Sequence, residues 1–451
     1  MFAFLFLLGA VLGVFVNWFV DRFCWTPRFR SPWRPLPPLT IKKKRKPAEP
    51  FRKVPLDFVP IIGWISLSRL GAYIENLPEA ERPPGLENRN FWLRPFFVEL
   101  FAAIGICWLF WWEVNQQALL PVVFHPVYPA GLLPEIWATC VLRFGAHVLL
   151  FTLLLAASLI DFDDMIIPDI LTVPGTILGL FLAVTLPQTW LPVPDAVSLP
   201  KAGPDHIFVW NAVPLNIHSP NATWPEIPTV GKATLAVGLW WFWCFAMLHR
   251  VWYTKLSFRK AAALFFRWLK RSPTTPIWLG AAGGVPLLFA VFWMLGILPA
   301  EWFLTNSLLS ALIGMATGMC LIWIARLVAG FVLSREAMGF GDVTLMGMIG
   351  AFVGWQNTIL IFFLAPCIGL GFGIVNYFAG RGKELPYGPF LCLATVFVVI
   401  AWRGVWDYVA PIFEFGPLFI GATMGVCLVL LGVMLWIWLL IKQRLFAEPE
   451  A

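Results

Sequence analysis

The chain has 451 residues, of which 59% are hydrophobic and only 13% charged, and its mean hydropathy is +0.78. That balance leaves too little polar surface for a soluble globule and predicts an all-α, polytopic membrane protein. The formal net charge of +7 sits in loops between apolar segments without a nucleic-acid motif. This positive-inside pattern points to membrane lipids and argues against nucleic acid as a partner.

Residues 1–20 are almost wholly apolar and lack the basic flank and small-residue cleavage site of a secretory signal, so they read as a first membrane helix that stays attached. Residues 21–95 are polar and Pro-rich and carry the run Lys42, Lys43, Lys44, Arg45, Lys46. That loop reads as cytoplasmic, with the N-terminus outside, and the lysine run as a solvated headgroup patch. Residues 96–112 return the chain outward, and a third span over 136–160 ends on Asp161. Pro168 and Pro174 punctuate the stretch after it, and the chain re-enters over 169–186. Residues 187–233 read as a Pro-rich external excursion with no period of its own core, and the sequon at Asn221, Ala222, Thr223 as a chance match. Residues 249–275 are basic, with Arg250, Lys255, Arg259, Lys260, Arg267, Lys270, Arg271 and no acids. They read as cytoplasmic, and Leu256, Ala263, Leu264 and Trp268 suit an interfacial amphipathic helix. Further apolar segments cover 277–298, 304–333, 343–354, 359–379, 389–406 and 418–441. About eleven crossings place Arg381, Lys383, Lys442, Arg444 and the C-terminus inside.

Two stretches carry the chemistry. In residues 159–174, LIDFDDMIIPDILTVP, an apolar run stops on Asp161, and Asp163, Asp164 and Asp169 come soon after it. In residues 336–345, EAMGFGDVTL, Asp342 heads another apolar segment behind Gly339 and Gly341. Ionised groups at membrane depth are penalised by desolvation, so acids there mark a functional site by default. The topology puts Asp161 and Asp342 on the same side, where they can face one another. Two close carboxylates do not readily both ionise, so one keeps a proton while the other acts as a general base on a shared water, an arrangement that hydrolyses peptides. Gly339 and Gly341 would permit positive φ and a close approach of substrate backbone, and Asp169, with Asp163 and Asp164, would cap the re-entering helix. Arg143 and His147, four residues apart, read as a structural pair sharing a helix face. An ion-coupled transporter would also use intramembrane acids, though at midplane rather than at helix ends. A noncatalytic assembly protein on the same scaffold is a third reading.

At these residues the chain resembles the type IV prepilin leader peptidases, membrane aspartic peptidases of which many are also N-methyltransferases. LIDFDDMIIPD with LTVPG, EAMGFGDVTLMGMIGAFVGW, ELPYGPF at 384–390, DFVPIIGWISL at 57–67 and RPFFVEL at 94–100 carry the resemblance. It implies Asp161 and Asp342 as the catalytic pair, with Gly339, Gly341, Asp164, Pro168 and Asp169 as supporting motif residues. It also implies prepilin-like substrates with a basic leader, a bacterial inner-membrane location, no cofactor for the peptidase, and S-adenosylmethionine if methyl transfer is retained. The domains it suggests are an N-terminal region, 1–112, and a peptidase core, 136–441, with insertions at 187–233 and 249–275. Two departures stand out. The paired CxxC cysteines that would hold zinc in the first loop are missing, leaving Cys24 there and no metal ligand set. Thr344 stands where a lysine commonly follows GDV, which removes a positive charge near Asp342. Glu99, in RPFFVEL, reads as an interfacial partner for Arg94 or else as a methyltransferase residue.

Overall fold

The computed structural model describes residues 1–26, 29–33, 53–75, 86, 90–120, 133–194, 212–220, 228–248, 258–295, 307–334, 338–379 and 385–445. The lysine run at 42–46, the sequon, Glu336, and Arg381 with Lys383 lie outside them.

Long apolar stretches can satisfy their backbone polar groups in lipid only by internal hydrogen bonding, and they form helices here. The order is α1 (Phe2–Phe23), α2 (Ile62–Glu75), α3 (Leu93–Phe110), α4 (Leu133–Asp164), α5 (Asp169–Thr185), α6 (Thr229–Met247) and α7 (Phe258–Arg271). After these come α8 (Thr275–Met294), α9 (Leu308–Leu333), α10 (Phe340–Phe378), α11 (Gly388–Ile400), α12 (Trp402–Phe413) and α13 (Pro417–Leu445). Eight of the described helices are long and apolar enough to cross a membrane, or nine if α11 and α12, bent by 94°, make one span. The count falls below the expected eleven for two reasons. Phe340–Phe378 enters that count once although non-helical Gly354 (φ 82°, ψ 170°) divides it into two helices, as the expected segments 343–354 and 359–379 have it, and α5, with 17 residues, falls just short of a full crossing.

The core is the packing of α9 on α10, with α5 and α11 also against α10 and α4 against α11. Small residues let the two central backbones touch. A methyl group built at Gly314 would collide with the Gly350 carbonyl, and one at Gly350 with the Gly314 carbonyl. Around this seam Met315, Met346, Met348, Ile349 and Ala351 are fully buried. By contrast, α13 presents Leu418, Val429, Met434 and Trp436 outward, as a lipid-facing helix must.

In the N-terminal region α1 packs on α3. Buried Glu99 accepts hydrogen bonds from Asn17 Nδ2 (3.1 Å), Trp64 Nε1 (2.7 Å) and the Ile61 N–H (2.6 Å). Its partners are therefore α1 and the start of α2, and Arg94 goes elsewhere. Arg94 and Glu99, five residues apart, lie roughly 140° apart around α3, so the two point to different neighbours.

The described parts of the excursion after α5 also differ from a free loop. A short antiparallel pair, β1 (Pro192–Pro194) with β2 (Ala212–Pro214), caps the bundle end away from Asp161. Trp190, Leu191, Val193, Leu215 and Ile217 are buried, and Trp402 Nε1 and Arg143 Nε donate to the carbonyls of Pro192 (2.8 Å) and Trp190 (2.9 Å). The segment has no core period because the bundle supplies the other half of its core. Arg143 is thus spent on this cap, while His147 Nδ1 lies 2.8 Å from Glu113 Oε1, so the two do not pair with each other. Because the central seam admits no side chain, Gly350→Val should lower the thermal midpoint or abolish folded protein, with a cost on the order of 3 kcal/mol. Detergent-solubilised yield and a melting curve check this.

Candidate active site

The site begins where α4 stops. Met165 adopts a left-handed conformation (φ 54°), and residues 166–168 run to Pro168, which precedes α5 in extended geometry. Proline suits that place, since a helix start has no use for its missing N–H. Asp169 is the first residue of α5, exposed at its N-terminal end. It complements the helix dipole there without being the cap itself.

Asp161 sits in the last turn of α4, 5% exposed. Its Oδ2 accepts the Gly388 N–H at 3.1 Å. A methyl group at Gly388 would lie 2.5 Å from that same oxygen, so this backbone donor reaches the carboxylate only as glycine. Asp342 is the third residue of α10 and 7% exposed. Gly339 precedes the helix with φ −67° and ψ 158°. Neither Gly339 nor Gly341 is among the residues at positive φ, which corrects the expectation from sequence. What Gly341 provides is room, because a methyl there would lie 2.9 Å from Ile167 Cβ. Gly341 thereby lets the head of α10 press against the link between α4 and α5. Thr172 Oγ1 donates to Thr344 Oγ1 (3.1 Å) across the same joint.

These contacts bring Asp161 and Asp342 into one cavity of about 440 Å³, lined also by Met338, Gly339, Phe340, Ile166, Ile167 and Tyr387. Asp342 lies within electrostatic reach of both Asp161 and Arg326. The Arg326 guanidinium stands 5.9 Å from the Phe340 ring, so the cation missing at Thr344 is supplied from α9. It is the one charged residue between Ser307 and Leu333, and that isolation in an apolar segment was the signal that could have found it. Tyr387, in the ELPYGPF stretch, was not singled out either. Burial, and then the neighbouring Asp342 carboxylate, push its hydroxyl above the usual range, which keeps it a hydrogen-bond donor at the cavity wall.

Asp163 and Asp164 point away from this cavity. Two residues along a helix is a rotation of roughly 200°, and Asp163 instead meets Arg30 Nη2 (2.7 Å) and Arg94 Nη1 (2.5 Å), its side chain fully buried. Asp164 accepts the Trp25 N–H (2.5 Å) and the Thr26 hydroxyl. They tie the N-terminal region to the end of α4 and do not cap α5. Among the described residues no group of three His, Cys, Asp or Glu side chains is placed to share a metal ion. Burial pushes the Cys24 thiol up to about 12, so it is a protonated, inert group.

This division predicts opposite responses. Asp163→Asn leaves two guanidinium groups short of their buried partner and should lower stability by on the order of 3 kcal/mol, whereas Asp161→Asn should leave the melting temperature unchanged or raised. Parallel melting curves of the two variants check it, and equal destabilisation would contradict the assignment.

Comparison with known proteins converges on the same segment. Residues 278–374 match the model of the Type IV leader peptidase family, a span that contains Asp342 and begins after the basic stretch that separates it from Asp161. The chain is 31% identical over 119 residues to a prepilin leader peptidase/N-methyltransferase of Pseudomonas aeruginosa, covering 26% of this chain and 40% of that protein. It is 33% identical over 119 residues to its counterpart in Stutzerimonas stutzeri, with the same coverage. To an Escherichia coli type 4 prepilin-like proteins leader peptide-processing enzyme it is 34% identical over 91 residues, 20% of this chain and 33% of that one. The matched part thus spans 33% to 40% of the length of these relatives. No solved structure matches the chain. Residues 278–374 are thus the part of the chain that is similar to the type IV leader peptidase family.

Proposed function

We propose that the protein is a membrane aspartic endopeptidase that removes the basic leader from type IV prepilin-like precursors, pilins or secretion pseudopilins, at the cytoplasmic face of a bacterial inner membrane. The observation that carries this reading is the convergence of Asp161 and Asp342, from the ends of two different helices, on one cavity. A pair of carboxylates sharing a proton supplies both halves of peptide hydrolysis. The ionised partner takes a proton from a water as it attacks the scissile carbonyl, and the protonated partner donates to the carbonyl oxygen as negative charge grows there. The collected proton then passes to the leaving amine. The Gly388 N–H steadies Asp161, and Arg326 and Tyr387 shape the field around Asp342. The apolar walls of Ile166, Ile167 and Met338 suit the hydrophobic helix that adjoins the cleavage site. A basic leader is drawn by the aspartates and by headgroups rather than by the Lys- and Arg-rich loops. Helix-end placement of the acids favours this chemistry over a transporter, which would carry them at midplane.

Purified enzyme given a prepilin should release the leader, as read by the mass of the substrate's N-terminus. Asp161→Asn and Asp342→Asn should each reduce cleavage by about a thousandfold or more while the protein still inserts and folds, because the pair works as a unit. Either variant cleaving near the wild-type rate would refute the assignment.

The carboxylate pair supplies acid and base by itself, so the peptidase step is proposed to be metal-independent. Methyl transfer from S-adenosylmethionine is the activity named in the relatives and is proposed here only as an accompaniment. Chelator should leave cleavage unchanged. Stoichiometric zinc in the purified protein, or cleavage that stops on chelation, would sink this part, and methylated product in the presence of S-adenosylmethionine would establish the second activity.

A further inference from the structure

Helix α7 is joined at both ends to helices long enough to cross a membrane, α6 and α8, yet at 14 residues it is too short to cross one itself. Its five cations, Arg259, Lys260, Arg267, Lys270 and Arg271, are all exposed. At 3.6 residues per turn they fall within roughly 120° of its circumference, and the helix contains no acid. Phe266 and Trp268, also exposed, flank that basic arc. No other described element packs extensively against α7. The inward face is different in kind. Ala261 is buried, and the Phe265 ring lies 5.9 Å from that of Phe245 on α6. Phe265 also shares a small cavity of about 30 Å³ with Trp323 of α9 and with Phe340, the residue between the two glycines before Asp342.

A short helix tethered between membrane helices, with one cationic arc bordered by aromatic side chains, is built for an anionic headgroup layer. Basic side chains near such a surface are attracted to its negative potential, and Phe and Trp bury at the headgroup boundary. Because the cavity beside Phe265 places α7 at the same end of the bundle as Asp161 and Asp342, the layer it meets is the one beside the catalytic cavity. We propose that α7 binds the anionic phospholipid headgroups of that leaflet and, through the small cavity that Phe265 shares with Phe340, makes the order of the segment carrying Asp342 depend on lipid charge.

This inference is testable without any cleavage assay, so its failure is distinct from failure of the proposed peptidase activity. The full chain is placed in nanodiscs of phosphatidylcholine alone or with phosphatidylglycerol, and hydrogen exchange is measured in peptides covering α7 and residues 338–345. Exchange in α7 should slow by about tenfold or more with phosphatidylglycerol, high salt should reverse the effect, and residues 338–345 should slow alongside. Replacing all five cations by glutamine should remove the response, whereas Arg267→Lys with Arg271→Lys should keep it and controls for folding. Phe265→Ala should keep protection of α7 but uncouple residues 338–345. Equal protection in both bilayers, or a response that survives the five glutamines, would overturn lipid binding. A response in α7 that never reaches residues 338–345 would overturn the coupling.

Discussion

The fold turns on holding two carboxylates near one another inside an apolar bundle. Each acid is costly to bury, and both are more than nine-tenths buried. Their cost is met locally by few groups: the Gly388 N–H on Asp161, and the Gly339 N–H with Arg326 near Asp342. Those groups come from three separate helices or their ends, so the site exists only while α4, α9, α10 and α11 stay in register. The glycine seam between α9 and α10 fixes that register, because backbones in contact at Gly314 and Gly350 leave no freedom to slide.

The DFDD run shows how one helical turn serves two purposes. Asp161 faces the cavity, while Asp163, rotated to the far side of α4, joins Arg30 and Arg94, and Asp164 fastens Trp25 and Thr26. The N-terminal region is thereby anchored within three residues of Asp161. A displacement of that region would be felt directly at the helix end that positions the carboxylate, so the two parts of the chain are mechanically one unit at this point.

The helical class, and the convergence of Asp161 and Asp342, were legible because hydropathy and isolated charges survive any detail of packing. The roles of neighbouring residues were not. Asp163 and Asp164 look like cap residues in a linear reading, since nothing in the sequence says that Arg30, more than a hundred residues earlier, lies beside them. Gly339 and Gly341 suggested backbone freedom, whereas Gly341 in fact makes room for Ile167, a partner on another helix junction. Gly354 was legible only as a segment boundary: it breaks α10 at positive φ and separates two apolar arms that a hydropathy profile counts as two crossings. The excursion after α5 lacked any period because its core is shared with the bundle, at Trp402 and at Gly354, against which Trp190 and Leu215 pack.

The N-terminal region has its own organising principle, again a pair of buried carboxylates. Asp57 accepts the Val54 N–H (2.8 Å), the Ser66 hydroxyl (2.6 Å) and the Arg69 guanidinium (2.6 Å), closing the turn that leads into α2. Glu99 gathers α1, the Ile61 N–H and the Trp64 indole. Between them they hold both ends of the first turns of α2, whose other face buries Trp64, Leu67, Leu70 and Ile74 against Phe29 and Leu86. Charge-assisted hydrogen bonds of this kind are about twice as strong as neutral ones and are directional. A loop organised by them needs no paired thiolates to fix its shape, and the sequence between α1 and α3 has only Cys24. Asp57 and Glu99 belong to the DFVPIIGW and RPFFVEL stretches themselves, so the motifs and the buried carboxylates are the same structural device.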